Sequence, residues 1–397
     1  MGMEFRPYYL AREWVKKGHK VDIIAADFSH LRRVNPKIER NFDVTVIDGI
    51  NYHWIKTNSY KGNGFQRSIT MAKFISVLLR KAKWIVDNMD PDVVIASSTY
   101  PLDTYVGQKI KKLSLKNVKL IHEVHDMWPA TLYEVGGMSK HHPFVSIMQI
   151  GENSAYKHSD HVVSLLPNAE PYMKKHGLGN NKFTCIPNGI VAEEWENPQK
   201  IPTEYQQIFD EFKSRGKFVV GYFGGHSISN ALDVLIDSAN AIEDKQVQFV
   251  LVGRGIEKQK LMDRAKAYNL DNVTFLEPIP KKSIPDLCKN FDCIYMGGMD
   301  SPLYRFGICL NKMFDTMASG KPGICAFNMK TYFSEYDCGI DTKIDTKSIC
   351  SAIEKIKNMS AEELKKMSDN GKKASENYFN YEAEAKRFIE IMNEGER

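Results

Sequence analysis

The sequence predicts an α/β protein made of two Rossmann-like domains. Three observations support this fold class: the chain has 397 residues, 43% of them are hydrophobic, and short apolar runs alternate with helical patterns in both halves. A chain of this length exceeds what one hydrophobic core usually supports, so two domains are expected. Short apolar runs that alternate with amphipathic segments are typical of parallel sheets covered by helices.

Each half contributes a series of strand candidates. In the first half, the apolar runs cover residues 21–26, 93–96, 119–124 and 161–166. After a polar stretch, the runs of the second half cover residues 218–223, 247–252, 273–276, 291–296 and 323–327. We therefore expect an N-terminal domain over 1–187 and a C-terminal domain over 188–377.

The chain begins with a helical pattern rather than with a strand. This pattern covers residues 3–17 and ends at Gly18, which offers a left-handed cap. Its expected apolar side is formed by Tyr8, Ala11 and Val15. Because the first strand of a doubly wound sheet is central, a chain that starts at the helix lacks one interior strand. We expect this first N-terminal strand to be missing.

The composition argues against several classes of protein. The 54 basic and 49 acidic residues are interleaved and give a net charge of only +5, so no stripe for nucleic acid is evident. Seven cysteines without paired short spacing indicate a reduced, cytoplasmic protein without zinc. No apolar run is long enough to span a bilayer, and the first residues show no signal sequence. We expect no metal and no cofactor.

The most informative segment is residues 301–322, a loop and a helix between two strand candidates. Lys312 and Asp315 would lie one turn apart on this helix. The start of such a helix faces the carboxyl ends of parallel strands, where these sheets bind ligands. An ammonium group there can meet a phosphate, and a carboxylate can accept hydrogen bonds from ribose hydroxyls. The segment therefore predicts a nucleotide-diphosphate site.

This segment is similar to the donor-site signature of retaining GT-B glycosyltransferases of family four. The resembling subgroup builds bacterial O-antigens and capsules and includes L-fucosamine transferases. The resemblance covers nearly the whole chain and is strongest at residues 4–30, 120–134 and 301–322. It implies two Rossmann-like domains facing each other across a cleft, with a C-terminal helix at about 378–397 that packs back on the first domain.

The family usually carries two glutamates separated by seven residues, the second of which contacts the ribose. In this chain Asp315 fits the second position, while Gly307 stands at the first. The resemblance therefore implies a ribose contact for Asp315. The amide of Gly307 is expected to contact the diphosphate or the sugar instead of the absent acid.

Polar residues follow the strand candidate at 119–124. The resembling subgroup has an Asp-x-Trp-Pro element here, and it implies that His125 hydrogen-bonds the donor sugar. Asp126 would orient His125 or meet a hydroxyl; the alternative is that the pair only caps the next helix. His122 and Glu123 alternate with apolar neighbours and are expected to be structural.

A glycine turn follows the first strand of the second domain. Glycines let the backbone approach a diphosphate, and free N–H groups at the next helix attract its charge. The residues expected at this turn are Gly225, His226, Ser227 and Asn230. Many family members place an arginine and a lysine in this loop, which this chain lacks. We expect Arg305 and Lys312 to supply the charge, with Asn311 beside them.

Two further loops are expected to line the base. Gly253 and Gly255 form a Gly-x-Gly turn after a strand, which alone is a weak fingerprint and can equally be a simple turn. In the resembling family this loop lies beside the nucleoside. Pro278 and Ile279 follow the next strand, where backbone groups read the base in that family.

The resemblance implies transfer from a UDP-sugar to a saccharide acceptor, which can be lipid-linked, with Gly2 and Arg6 on the acceptor side. A 6-deoxy, N-acetylated sugar is suggested by the subgroup.

The segment 65–87 combines basic and apolar residues, and either covers the sheet or also touches an anionic membrane. Two alternatives remain open: a nucleotide-sugar 2-epimerase of GT-B architecture, and a non-catalytic nucleotide-sugar-binding protein.

Overall fold

A computed structural model describes residues 5–30, 32, 34–60 and 64–394 of the chain. The chain forms two compact units. The first unit contains the chain up to Pro187, together with Arg305–Gly307 and the residues from Tyr381 onward. The second unit contains Asn188–Tyr304 and Ile308–Asn380.

The secondary structure alternates between strands and helices. The strands are β1 Asp22–Ala26, β2 Asp43–Ile47, β3 Ile50–Ile55, β4 Val93–Ala96, β5 Lys119–Val124, β6 His161–Ser164, β7 Phe183–Cys185, β8 Phe218–Gly225, β9 Val247–Arg254, β10 Val273–Leu276, β11 Cys293–Gly297, β12 Gly323–Ala326 and β13 Gly339–Thr342. The helices are α1 Phe5–Lys16, α2 Phe65–Met89, α3 Thr104–Leu113, α4 Ala130–Glu134, α5 Pro143–His158, α6 Glu170–Lys175, α7 Ala192–Glu196, α8 Thr203–Ser214, α9 Leu232–Ala241, α10 Lys258–Ala267, α11 Ile284–Cys288, α12 Asn311–Ser319, α13 Tyr332–Glu335, α14 Thr346–Lys357, α15 Ala361–Asn377 and α16 Tyr381–Asn393.

The first unit contains two small sheets. Strands β4, β5, β6 and β7 are parallel and lie side by side in that order, while β3 pairs in parallel with β1 and antiparallel with β2. Among the described residues, the two sheets share no ladder, so β1 and β4 each keep one open edge. One apolar core nevertheless joins them, because Ile24 and Val94 both pack against the cluster that contains Leu78 and Ile85 of α2.

The second unit contains one fully parallel sheet of six strands in the order β10-β9-β8-β11-β12-β13. Counted within the unit, this is the order 3-2-1-4-5-6 of a Rossmann fold. The chain reverses direction across the sheet between β8 and β11. Ligands of such sheets bind at that reversal, beyond the carboxyl ends of the strands. The two-domain parallel α/β fold expected from the sequence is confirmed.

Helix α1 packs on the last helix of the same unit, α16. The ring of Trp14 meets Phe388 edge-on at 5.5 Å, and the rings of Tyr9 and Tyr381 lie 4.8 Å apart. The buried side of α1 includes Tyr9, Leu10, Ala11 and Trp14. Ala11 is thus buried as expected, whereas Tyr8 and Val15 are only partly buried. The reason is that α16 covers a face that the sequence pattern of α1 alone does not reveal.

No helix in the described ranges is both long enough and apolar enough to cross a lipid bilayer.

Replacing Phe388 by alanine should lower the free energy of unfolding by about 3–5 kcal/mol, because a fully buried ring is lost from the α1–α16 contact. Urea unfolding followed by tryptophan fluorescence measures this. Ile150→Ala is the control, since Ile150 is 63% exposed and should change stability by less than about 0.5 kcal/mol. Equal effects of the two substitutions would contradict the described packing of α16.

Candidate functional site

The site begins at the strand reversal of the second unit. Lys312, the second residue of α12, reaches the glycine turn that ends β8. Its Nζ donates to Tyr222 Oη at 3.1 Å and to Asn230 Oδ1 at 3.2 Å, and lies 4.3 Å from the centre of the Tyr222 ring. A Cβ added to Gly224 would lie 3.5 Å from this Nζ. The cation therefore lies directly against the glycine turn.

Burial lowers the pKa of Lys312 to about 7. The two hydrogen-bond acceptors of its ammonium are a phenol and an amide, and neither carries a negative charge. The charged form is thus only weakly favoured when the site is empty. An anion placed beside Lys312 would supply the missing countercharge.

Asn230 fixes the glycine turn. Its Nδ2 donates to the carbonyl oxygen of Gly225 at 2.9 Å and to Ser227 Oγ at 2.8 Å. Its Oδ1 accepts from Lys312, so one side chain couples the turn to the cation. Gly225 itself is exposed, and its backbone remains accessible to a ligand.

His226 lies in the interior rather than on the surface of this turn. Its side chain is fully buried, its ring lies 5.8 Å from that of Tyr222, and neither ring nitrogen has a hydrogen-bond partner among the described residues. Burial, together with the charges of Lys258 and Lys312, lowers its pKa to about 4. The His226 backbone N–H donates to the Arg254 carbonyl at 2.9 Å. With a neutral, buried imidazole and this N–H already engaged, His226 does not offer the donor that the phosphate contact expected from the sequence would need.

Two positions around the end of β9 must be glycine because another part of the backbone lies very close to them. Gly253 has φ +153°, and a Cβ there would lie 1.9 Å from the carbonyl oxygen of Gly224. A Cβ on Gly255 would lie 2.1 Å from the carbonyl oxygen of His226. The turns after β8 and β9 therefore pack backbone against backbone, which no other residue type allows.

The segment after β10, expected to read the base, is held from both sides. Tyr205 Oη accepts from the Glu277 N–H at 2.9 Å and donates to the Glu277 carbonyl at 3.1 Å. Lys258 Nζ donates to the Glu277 carboxylate at 2.6 Å and to the Gly253 carbonyl at 3.0 Å. Pro278 is exposed, and Ile279 packs against a cluster of the unit's core. The sequence reasoning missed both supporting residues, Tyr205 and Lys258.

Asp315 lies one turn after Lys312 and is partly buried. Burial raises its pKa to about 6; Lys281 acts against this shift and Glu194 adds to it. Lys281 and Glu194 pair with each other at 3.6 Å. Asn311, the first residue of α12, is exposed. A carboxylate with a raised pKa is suited to accept hydrogen bonds from neutral hydroxyl groups.

The first unit contains a second polar cluster at the end of β5. His125 Nε2 lies 2.8 Å from Ser97 Oγ and 3.0 Å from Glu123 Oε2. Arg6 Nε donates to Glu123 Oε1 at 2.8 Å. Arg6 and Glu123 are almost fully buried. Glu123, expected to be only structural, is thus a direct partner of His125.

Arg6 also hydrogen-bonds the backbone at the end of the unit. Its guanidinium donates to the carbonyl oxygens of Ile186 and Pro187 at 2.8 and 2.5 Å. This burial differs from the surface position that acceptor contact would require. Gly2, the other residue expected on the acceptor side, lies outside the described residues.

Asp126 ties the loop after β5 to the side chain of Thr131 in α4. Its Oδ1 accepts from the Met127 N–H at 2.8 Å and from Thr131 Oγ1 at 2.7 Å. The start of α4 at Pro129 has no side-chain cap, so the capping alternative left open by the sequence is wrong. The hydrogen bonds of Asp126 instead fix the chain next to His125.

Arg305 and Gly307 group with the first unit. Arg305 forms a two-point ion pair with Glu134 at 2.6 and 2.7 Å, and Gly307 has φ +96° with Pro167 beside its Cα. Of the two cations expected to meet phosphate, Lys312 is at the glycine turn, whereas Arg305 is engaged by a carboxylate of the first unit.

In the part of the chain that the structure describes, no group of three or more His, Cys, Asp or Glu side chains is placed to hold a metal ion.

A Rossmann strand order with a glycine turn and a lysine at its reversal is typical of nucleotide-binding α/β proteins. Residues 2–194 match the family described as Glycosyltransferase Family 4, and residues 204–374 match the family described as Glycosyl transferases group 1. The two matches together span most of the chain, which therefore belongs to the glycosyltransferases of family 4.

Solved structures show the same GT-B fold at low sequence identity. HepE of Anabaena, in complex with UDP and glucose, is 16% identical over 87% of each chain, with a TM-score of 0.62. Sucrose-phosphate synthase of Thermosynechococcus elongatus is 17% identical over 96% of this chain and 90% of its own, with a TM-score of 0.70. WaaG is 12% identical over 98% and 95%, with a TM-score of 0.65. No curated protein matches the sequence.

Replacing Gly253 by alanine should destabilise the protein by about 2 kcal/mol or more, because its backbone conformation and the Gly224 carbonyl both exclude a Cβ. Thermal unfolding monitored by circular dichroism measures this. Gly225→Ala is the matched control from the adjacent loop, since its added Cβ would meet nothing closer than Asn230 Nδ2 at 4.0 Å. Equal melting temperatures for the two variants would contradict the close approach of the loops.

Proposed function

We propose that this protein transfers a sugar from a UDP-sugar to a saccharide acceptor with retention at the anomeric carbon and without a metal ion. The observation that carries the proposal is the position of Lys312 against the glycine turn at the strand reversal. Its ammonium lacks a carboxylate partner among the contacts described above, and a diphosphate would provide the negative charge. The GT-B fold shared with HepE, solved with UDP and glucose, supports UDP as the nucleotide.

Different residues of the second unit would bind the diphosphate, the ribose and the base. The diphosphate lies against Gly224 and Gly225, where Lys312 and the first N–H groups of α12 compensate its charge. Asp315 accepts hydrogen bonds from the ribose hydroxyls. The backbone at Ile279 reads the base, and Gly253 and Gly255 leave room for the nucleoside.

The chemical step we propose is a front-face displacement. The bond between the anomeric carbon and the diphosphate breaks, and the acceptor oxygen attacks from the same side while its proton passes to the departing diphosphate. No enzyme carboxylate forms a bond in this step, so catalysis depends on positioning and on stabilising the leaving group. Lys312 stabilises that negative charge, and His125 hydrogen-bonds the donor sugar.

We propose a role in the synthesis of a bacterial surface polysaccharide such as O-antigen or capsule. Support comes from the resemblance at residues 120–134 and 301–322, and from the shared fold of WaaG, a glycosyltransferase involved in lipopolysaccharide biosynthesis. The acceptor would be a saccharide, lipid-linked where the polymer is built on a carrier, and the sugar a 6-deoxy N-acetylated one.

A position at the cytoplasmic face of the membrane fits the surface of α2. One side of this helix packs in the core through Phe74, Leu78 and Ile85. The other side exposes Arg80 and Lys81. We propose that these basic residues contact anionic lipid while the opposite side covers the sheet.

The purified protein, incubated with UDP-sugars and with saccharide acceptors, should release UDP only when both substrates are present. Proton NMR of the first product should show the anomeric configuration of the donor. Inversion would contradict the front-face step. Isomerisation of the donor sugar without acceptor would show an epimerase, and UDP-sugar binding without any turnover would show a binding protein.

Affinity for a UDP-sugar should fall as the pH rises through about 7, because Lys312 loses its proton in the free protein and the diphosphate binds its charged form. Binding should therefore take up protons near neutral pH. The affinity should also decrease when the pH is lowered below about 6, because Asp315 then becomes protonated. Calorimetry in buffers of different ionisation enthalpy measures both the affinity and the proton uptake.

Lys312→Met should abolish the decrease in affinity above about pH 7. It should also lower the affinity by about 10-fold or more, which is the cost of losing one charge-assisted contact. Asp315→Asn should abolish the decrease in affinity at acidic pH. Lys355→Met, which changes an exposed lysine of α14, is the control and should bind as the unchanged protein does. An unaltered affinity and pH profile in Lys312→Met would contradict the phosphate role of Lys312.

A further inference from the structure

The cluster around His125 is built by two neighbouring parallel strands. Glu123 and His125 are two residues apart along the chain, so their side chains leave β5 on the same side. Ser97 follows β4, whose last residue, Ala96, pairs with His122. This register places the Ser97 hydroxyl between the carboxylate and the imidazole, 2.5 Å from Glu123 Oε2 and 2.8 Å from His125 Nε2.

Arg6 keeps Glu123 charged. Burial by itself raises the pKa of Glu123, but the charge of a protonated His125 and that of Arg6 outweigh it and hold that pKa well below its usual range. When the His125 ring is neutral, the permanently charged Arg6 remains as the cationic partner of Glu123. Arg6 carries only donors, and its Nε is directed at Glu123 Oε1. The other oxygen, Oε2, is the one that faces Ser97 and His125.

An ionised carboxylate can only accept hydrogen bonds. The hydrogen of the neutral His125 ring must therefore lie on Nε2, where it is shared by Glu123 Oε2 and Ser97 Oγ. The Ser97 hydroxyl in turn donates to Glu123. Nδ1 is then the ring atom that carries a lone pair and accepts.

We infer that Glu123 is a positioning residue, which holds His125 in the tautomer with hydrogen on Nε2 so that Nδ1 accepts a hydrogen bond from a hydroxyl of the transferred sugar. This inference rests on the proposed function. It narrows the donor to a sugar that presents a hydroxyl to Nδ1. A carboxylate at that position, as in a uronic acid, would place two acceptors together.

The substitution Glu123→Gln tests this because it keeps the shape and changes the hydrogen bonding. Arg6 requires an acceptor, so the amide oxygen of the glutamine will face Arg6. The amide NH₂ then faces His125 Nε2 and requires an acceptor there. The ring hydrogen should move to Nδ1, which can no longer accept from the sugar.

Nitrogen NMR of protein with labelled histidine reports which ring nitrogen of His125 is protonated, with His125→Ala used for assignment. The charged and titratable groups near His125 are Glu123 and, at longer range, Asp103 and His122. Spectra are therefore recorded across a pH series. The unchanged protein should show hydrogen on Nε2, and Glu123→Gln should show it on Nδ1.

Glu123→Gln should lower kcat by about 100-fold, a typical effect of misplacing a contact in the reacting complex. Binding of UDP should be unchanged, because the nucleotide residues belong to the other unit; this also shows that the variant is folded. Glu384→Gln is the matched control. Glu384 also faces Arg6, at 3.5 Å, and burial raises its pKa to about 8, so glutamine resembles its neutral form. It should keep both the tautomer and kcat.

Hydrogen on Nδ1 in the unchanged protein would overturn the inference, whether or not any variant folds. An unchanged kcat in a folded Glu123→Gln whose tautomer has moved would also overturn it. One further result tests the proposed function separately from this inference. If His125→Ala retains full kcat, His125 does not contact the donor sugar, and its proposed role in the function is wrong whichever tautomer it adopts.

Discussion

The reversal of strand order between β8 and β11 is the constraint on which the proposed nucleotide site depends. Because the helices that follow these two strands lie on opposite faces of the sheet, their loops diverge and leave space above the strand ends. That space is bordered by a glycine turn on one side and by the start of α12 on the other. The backbone contact between Gly224 and Gly253 then fixes the neighbouring loop in place. Topology thus determines where the ligand binds, and the side chains determine which ligand it is.

The side chains at this site leave one charge unbalanced. Lys312 is partly withdrawn from water and has only the dipoles of Tyr222 and Asn230 as described hydrogen-bond acceptors. His226 stays neutral in the interior and adds no competing charge. Burying this charge without a countercharge costs free energy in the empty protein, and a bound anion would offset that cost. The first unit shows the opposite balance, since Arg6, Glu123 and His125 satisfy one another within the unit.

Much of the architecture could be predicted from the sequence, because buried parallel strands appear as apolar runs. Strands β2, β3, β7 and β13 were missed. In β2, Val44 and Val46 are exposed and the run around them is polar. A local signal was available: Asp48-Gly49, both with positive φ, forms the two-residue turn typical of a hairpin. The positions of Lys312 and of the glycines followed from motifs. The partnership of Ser97 with His125 depends on the register of two strands, which no local pattern contains.

Tyr205 illustrates how a distant segment influences recognition. It lies on α8, before the first strand of the second unit, yet its hydroxyl makes both backbone hydrogen bonds of Glu277. The segment proposed to read the base is therefore braced by a helix that also packs Phe209 into the core of the unit. If this segment reads the base as proposed, a substitution that shifts Tyr205 would alter the preference for one nucleobase over another without replacing any residue that touches the nucleotide.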